Sequence, residues 1–318
     1  MNLTITERDK YIRHCDVKQY LKADSDKIER YLFGHKVILG NNQWLWHTHI
    51  KFCERCNARC SFCIEQNSHR QELPKKVIYN ADIFLRAMKG QGILYSVSVT
   101  GGEPTIMPEL VDLCVMLKAH DIKFLTMNTN GSLLHKVRPF VDGLFDFVDI
   151  SRHSIDDAQN SGIFKTITVP TLEELRQLKE SFTKTKLRIQ CVMQAGMTVE
   201  QFLKMLEAYS FADNISFRRL MNPFDWFTAY NDTFDDQYFK ILDWVAEHGE
   251  FIEQTIQDYY VYEIWNVNGV NVTFSYSDMR SLDALEKVED EANIREFIIH
   301  PDGVVAGSWL PGRKIILE

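Results

Sequence analysis

Between Trp44 and Leu220, short apolar runs rich in β-branched residues take turns with amphipathic stretches. The apolar runs predict strands at Trp44–Phe52, Ile93–Thr100, Ile122–Thr129, Phe147–His153, Leu187–Met193 and Ile215–Leu220. Helices are predicted between them at Ala81–Met88, Pro108–His120, Leu133–Val141, Pro170–Phe182 and Thr198–Tyr209. One helix start is well signalled: Pro170 suits a first turn, and Thr171-Leu-Glu-Glu174 is a capping-like run. Strands that alternate with helices argue a parallel sheet with right-handed crossovers, an α/β fold.

The flanks follow other rules. Residues 1–43 carry short amphipathic helical patterns such as Val17-Lys-Gln-Tyr-Leu-Lys22, ending at a Gly-Asn-Asn break. After Asn222-Pro223 the rhythm stops. A helix at Asp235–His248 precedes a hairpin, Tyr260–Val267 and Val270–Tyr276, around an Asn268-Gly269 turn. A second hairpin runs from Glu296–His300 through Pro301-Asp302-Gly303 into Val304–Trp309. The expected organisation is a helical segment at 1–43, an α/β unit at 44–224 and a small α+β extension at 225–318.

Composition narrows the class. The 318 residues are 45% hydrophobic and 25% charged, as in an ordinary folded protein. The net charge is −8 with no block of Lys or Arg, which disfavours a nucleic-acid surface. The start is charged and lacks an apolar signal core, and no apolar run is long enough to span a membrane. The cysteines number seven, an odd count, and Cys53, Cys56, Cys60 and Cys63 crowd together. That usage suits a reducing compartment, so a cytoplasmic location is expected.

The crowded cysteines carry the chemistry. Cys56, Cys60 and Cys63 read C-x3-C-x2-C, with Phe62 before the last. The spacing suits three irons of a [4Fe–4S] cluster and leaves one iron open. A zinc site usually separates its Cys/His pairs by a longer loop, and the three residues here hinder closure on one ion. A ferredoxin run needs a fourth ligand, typically followed by Pro. A redox C-x-x-C would open a helix in a smaller fold.

This loop follows the first predicted strand, and Thr100-Gly101-Gly102-Glu103-Pro104 follows the second. Together they resemble the cluster loop and the GGEP motif of the radical S-adenosylmethionine (radical SAM) superfamily, over residues 44–222. The resemblance implies a partial (β/α)6 barrel and one [4Fe–4S] cluster on Cys56, Cys60 and Cys63. It implies that the amine and carboxylate of SAM chelate the open iron. It also implies that an external electron donor, such as flavodoxin or ferredoxin, reduces the cluster. The 5′-deoxyadenosyl radical so released removes hydrogen from an unactivated carbon. Cys53 occupies a slot where relatives commonly carry a strand-end Thr. It is read as a small buried neighbour, with an alternative ligand or oxidation partner left open.

The same resemblance nominates SAM contacts. Gly101 and Gly102 would let backbone approach the methionine end, and Glu103 would accept from its amine. Alternate strand residues share a face, which groups Asp149, Ser151 and His153 and separates Gln190 from Cys191. Asn128, Ser151 and Gln190 are therefore candidates, and so is Arg219, although parity does not separate it from Arg218. His153 is either a SAM or substrate contact or a satisfied structural histidine. The hydrogen donor is not identified.

The extension has no cysteine after Cys191. Many relatives that modify peptides or sugars carry extra clusters there. Phe297–Trp309 resembles the hairpin of such extensions with Ser308 in a cysteine's place, so a cluster-less extension that closes the barrel and helps bind substrate is expected. Residues 1–43 are too short for the leader-peptide domain of peptide-modifying relatives. A small metabolite (nucleoside, sugar or amino-acid derivative) is the expected substrate. The alternatives are a peptide, through epimerisation or crosslinking, and a non-catalytic metal-binding module.

Overall fold

The computed structural model describes residues 27–40, 46–63, 70–165, 169–193, 197–219, 235–257, 260–277, 290–310 and 312–318. Its first element is a hairpin, β1 (Lys27–Leu32) and β2 (His35–Gly40). Here the structure departs from the predicted helical segment, while residues 1–26 lie outside the described residues. The reason is local. Leu32, Val37 and Leu39 are buried at strand spacing, and Phe33 (φ 52) and Gly34 (φ 84) make a two-residue turn with positive φ.

The alternating unit forms as the pattern requires. Its elements are β3 (Trp46–Cys53), α1 (Pro74–Gly90), β4 (Tyr95–Gly101), α2 (Leu110–Lys118), β5 (Phe124–Thr129), α3 (Leu134–Val141) and β6 (Phe147–Ser151). They continue with α4 (Asp157–Phe164), α5 (Leu172–Ser181), β7 (Lys186–Val192), α6 (Val199–Ala208) and β8 (Asn214–Arg218). Strands β3 to β8 are neighbours in chain order and all parallel. Thr171 makes its capping box with Glu174. Helix α4 was not predicted; only Asn160 and Phe164 are buried on it, too few to print an apolar stripe.

The remaining elements are α7 (Asp235–His248), β9 (Glu250–Gln257), β10 (Tyr260–Val267), β11 (Val270–Ser277), β12 (Asn293–Ile294), β13 (Phe297–Ile299), β14 (Val305–Ala306) and β15 (Ile315–Leu317). Asn268 (φ 53) and Gly269 (φ 82) form the predicted turn. The extension is split between two edges. β11 adds in parallel beside β8, and β13 adds in parallel beside β3. The 12-stranded sheet runs β15-β14-β13-β3-β4-β5-β6-β7-β8-β11-β10-β9. Among the described residues it stays open, because β15 and β9 pair with one neighbour each. The extension lengthens the sheet rather than closing it into a ring.

The two faces of the sheet differ in kind. Ile50, Val97, Met127, Ile150, Ile189 and Phe217 alternate onto one face and are wholly buried against the helices. The opposite face carries His47 and His49, Ser96 and Ser98, Asn128, Asp149, Arg188 and Ser216. Hydrogen bonds cross it from strand to strand: His47 Nδ1 with Ser96 Oγ (2.7 Å) and Asn128 Nδ2 to Ser98 Oγ (3.2 Å).

Candidate functional site

The cysteine loop leaves the C-terminal end of β3 and is fastened from several sides. Glu72 takes the backbone N–H groups of Glu54 (2.8 Å) and Arg55 (2.6 Å), and the Arg55 side chain. Arg59 N donates to Phe164 O (2.9 Å), tying the loop to α4. Asn57 donates to Ser132 (3.0 Å) and accepts from Asn130 Nδ2 (2.8 Å), tying it to the end of β5. Ala58, Phe164 and Val169 form a small apolar cluster against which Cys56 and Cys60 pack.

Burial disfavours the charged form of Glu72, but the hydrogen bonds from Arg55 and Glu54 outweigh it and lower the pKa. A carboxylate with a depressed pKa stabilises the fold above its ordinary range, and the gain fades as pH falls through the folded value. Glu72→Gln is therefore expected to loosen the loop by about 1–3 kcal/mol at neutral pH, with little difference from wild type in acid. Thermal melts at pH 7 and near pH 2, below the depressed folded value, check this.

Cys56, Cys60 and Cys63 form no disulfide and are partly exposed. Burial first, then each other's charge, pushes the Cys60 thiol up to about 12. Among the described residues, no three His, Cys, Asp or Glu side chains gather as one metal ion requires. A cluster asks for something else: one thiolate for each iron. Three reduced thiols on one loop, close enough to feel each other, fit that demand. Cys53 differs, being wholly buried with its thiol toward Arg55 O (3.5 Å) and raised to about 12 by burial.

The Gly101–Glu103 stretch lies directly against this loop. Gly102 N donates to Cys53 O (2.7 Å), and Glu103 N donates to Arg55 O (2.9 Å). Gly101 has φ +128, and a Cβ there would fall 2.3 Å from Cys53 O. A Cβ on Gly102 would fall 2.0 Å from Arg55 O. Both contacts are with backbone, so only glycine fits either place.

Glu103 is 1% exposed, and four protein donors hold its carboxylate. Oε1 accepts from Thr105 N (3.1 Å), Thr105 Oγ1 (2.6 Å) and Thr129 Oγ1 (2.6 Å); Oε2 accepts from Asn130 N (2.7 Å). Burial raises its pKa and these bonds oppose the rise. These bonds make Glu103 a strut between the ends of β4 and β5.

Ser151 and Gln190 are Cα partners on the polar face of β6 and β7. Asn128 and Asp149 pair the same way one step deeper. His153 sits edge-on to Phe62 (5.0 Å) and stacked on Phe164 (5.3 Å), and its Nδ1 accepts from Val192 N (3.1 Å). Burial lowers its pKa to about 3, so it is a neutral ring packed beneath the loop. Arg219 lies over the Phe239 ring (4.7 Å), whereas Arg218 follows Ser216 on the polar face and its charge reaches Asp149. Of the two arginines, Arg218 therefore shares the polar face with Ser216 and Gln190. Cys191 is wholly buried on the helix side.

A model of the radical SAM superfamily matches residues 50–209. The chain belongs to the radical SAM superfamily. Members of that superfamily work with a [4Fe–4S] cluster and SAM. Among curated relatives of this radical SAM protein, a probable GTP 3′,8-cyclase of Sulfolobus acidocaldarius is 34% identical over 143 residues, 44% of this chain and 43% of its own. A GTP 3′,8-cyclase of Clostridium perfringens is 27% identical over 180 residues, 54% of each chain. The chain spans about half the length of these relatives. In fold it is similar to Streptococcus suis SuiB bound to S-adenosylmethionine, with TM-score 0.59, 15% identity, and coverage of 97% of this chain and 71% of that one. No described helix is long and apolar enough to cross a membrane.

Proposed function

We propose that this radical SAM enzyme takes hydrogen from an unactivated C–H bond of a small polar metabolite of the nucleoside or nucleotide kind. The observation that carries this is the polar inner face of the sheet. Closed barrels of parallel strands fill their interior with Val, Ile and Leu. Here the equivalent face presents His, Ser, Asn, Asp and Arg, which a buried peptide backbone or lipid would not satisfy as well as a compact polar ligand. The curated relatives are named for a nucleotide, which supports the same class.

The residues divide the work. Cys56, Cys60 and Cys63 would hold the cluster, leaving one iron open. Bound together, cluster and SAM supply a strongly oxidising carbon radical. The Gly101–Gly102 backbone lets the methionine end come close, and the buried Glu103 carboxylate keeps the ends of β4 and β5 in register beside it. Ser151, Gln190, Asn128 and Arg218 line the way inward and orient what lies there. The apolar packing of Ala58, Phe164 and Val169 under the loop keeps water from the cysteine side. The C-terminal extension contributes to the chamber through Glu296, which accepts from Trp309 Nε1 (2.8 Å) and bonds His49 Nε2 (2.9 Å) on the inner face. An external one-electron donor and a cytoplasmic setting complete the proposal.

The test is anaerobic. Reconstituted enzyme, dithionite and SAM are incubated with nucleotides, sugar phosphates, amino acids or synthetic peptides, and 5′-deoxyadenosine is measured. Nucleotides are expected to raise its formation, and deuterium at the attacked carbon should appear in it. Stimulation by peptides alone would overturn the small-metabolite reading.

A further inference from the structure

Two residues deeper than Ser151 and Gln190, on the same face, stand Asp149 and Arg188. They are Cα partners across β6 and β7. Val148 and Ile150, on either side of Asp149, are wholly buried in the helix-side core, so Asp149 turns to the inner face. It is 4% exposed. Arg188 Nη1 lies 3.3 Å from Asp149 Oδ1 and donates at 3.5 Å to Oδ2. The guanidinium rests 4.3 Å over the Phe147 ring, which holds its plane.

The pair is close but incompletely bonded. Among the described residues, Asp149 Oδ1 accepts no hydrogen bond and Arg188 Nε donates none, and both atoms are buried. A buried polar atom left without a partner costs about 1–3 kcal/mol. A structural Arg–Asp pair ordinarily avoids this by a two-pronged contact, which would use the guanidinium fork in full. Here one carboxylate oxygen and one guanidinium N–H are left over on adjacent strands. The groups facing them are Asn128 in the same row, Arg218, whose charge acts on Asp149, and Tyr262 of β10, within electrostatic reach of Arg188 and Arg218. The loop cysteines and the Gly101–Glu103 stretch do not use this pair.

We propose that Asp149 and Arg188 read the substrate, with Asp149 accepting an N–H and Arg188 donating to the adjacent C=O of a lactam or amide edge. The inference rests on the small-metabolite reading and names the chemical edge such a substrate must present. A carboxylate acceptor beside a cationic donor is complementary to a donor beside a strong oxygen acceptor. Two strand residues place this pair roughly 7 Å below the Ser151–Gln190 row, at about 3.3 Å per residue. A ligand anchored there points its other end toward the strand C-termini, where the cluster loop and Gly101–Gly102 lie. The Phe147 ring under Arg188 keeps the donor from swinging out of line. These are positioning residues: they fix the substrate and take no part in SAM cleavage.

The probe is GTP, which carries a lactam edge, compared with N1-methyl-GTP, in which the donor hydrogen is replaced by a methyl group. Binding is measured by calorimetry on the reconstituted enzyme with SAM, and 5′-deoxyadenosine formed without nucleotide is measured in parallel. Wild type is expected to prefer GTP by at least about ten-fold, the low end for a lost buried hydrogen bond. Asp149→Asn, nearly the same size, should erase the preference, and Arg188→Lys should weaken GTP without restoring the methylated analogue. Both variants should keep the cluster absorbance, the SAM affinity and the nucleotide-free 5′-deoxyadenosine. Equal binding of the two nucleotides by wild type, binding of neither, or an unchanged preference in Asp149→Asn would overturn the assignment. Absence of 5′-deoxyadenosine from the cluster-loaded wild type would instead sink the underlying enzyme reading.

Discussion

Cys60→Ala is expected to yield a folded protein that holds no [4Fe–4S] cluster and cleaves SAM no faster than a protein-free control. Cys60 lies on a loop that other residues fasten: Glu72 at its start, Asn57 and Arg59 further along. Its partly exposed side chain packs only lightly, against Ala58, Phe164 and Val169, so its loss costs the fold little. Its loss to the cluster is expected to be complete, because three thiolates already serve four irons and the described cysteines outside the trio, Cys53, Cys114 and Cys191, are buried. Cys53 and Cys191 are wholly buried, unlike the partly exposed thiols of the loop. Cys53→Ala is accordingly expected to keep the visible absorbance that Cys60→Ala loses. Iron analysis and the absorbance near 400 nm, a typical region for such clusters, read both variants.

Gly102→Ala is expected to lower SAM cleavage by at least about 100-fold, the order of effect that a displacement near 1 Å has on a reacting pair. The added Cβ would meet Arg55 O at 2.0 Å, Arg55 C at 2.5 Å and Glu54 O at 2.6 Å. All three are backbone atoms of the strand end that leads into the cysteine loop, so no side-chain rotation relieves the clash. The backbone must separate, and with it go the Gly102–Cys53 and Glu103–Arg55 hydrogen bonds that align the two motifs. Gly90→Ala is the control: nothing lies within 4 Å of its Cβ, and the change is expected to be silent in the same assay. Single-turnover formation of 5′-deoxyadenosine separates the two variants.

The parallel sheet was legible because its strands are buried on one face and carry their β-branched residues at every second place. Val97 and Val99, or Leu187 and Ile189, show this without any contact being known. The hairpin at 27–40 was not, since Phe33 and Gly34 give a turn signal weaker than the Asn268–Gly269 one that was found. The cysteine spacing suggested a cluster, and Gly101 and Gly102 were singled out by the resemblance to the radical SAM superfamily. The role of Glu103 was hidden, because its donors Thr129 and Asn130 come from the next strand and only the fold brings them in. Arg218 and Arg219 could not be separated until the end of β8 was fixed at Arg218. Asp149 and Arg188 each lie on a predicted strand. Their unfinished pairing depends on side-chain angles that no periodicity encodes.

Three loop thiolates on four irons would leave one iron for SAM. Electron paramagnetic resonance of the dithionite-reduced, reconstituted protein tests this most directly, with about four irons per chain as the loading expected for one such cluster. The expected result is a [4Fe–4S]+ signal that changes on adding SAM, survives Cys53→Ala and is absent from Cys60→Ala. A signal indifferent to SAM, or one lost in Cys53→Ala and kept in Cys60→Ala, would contradict it.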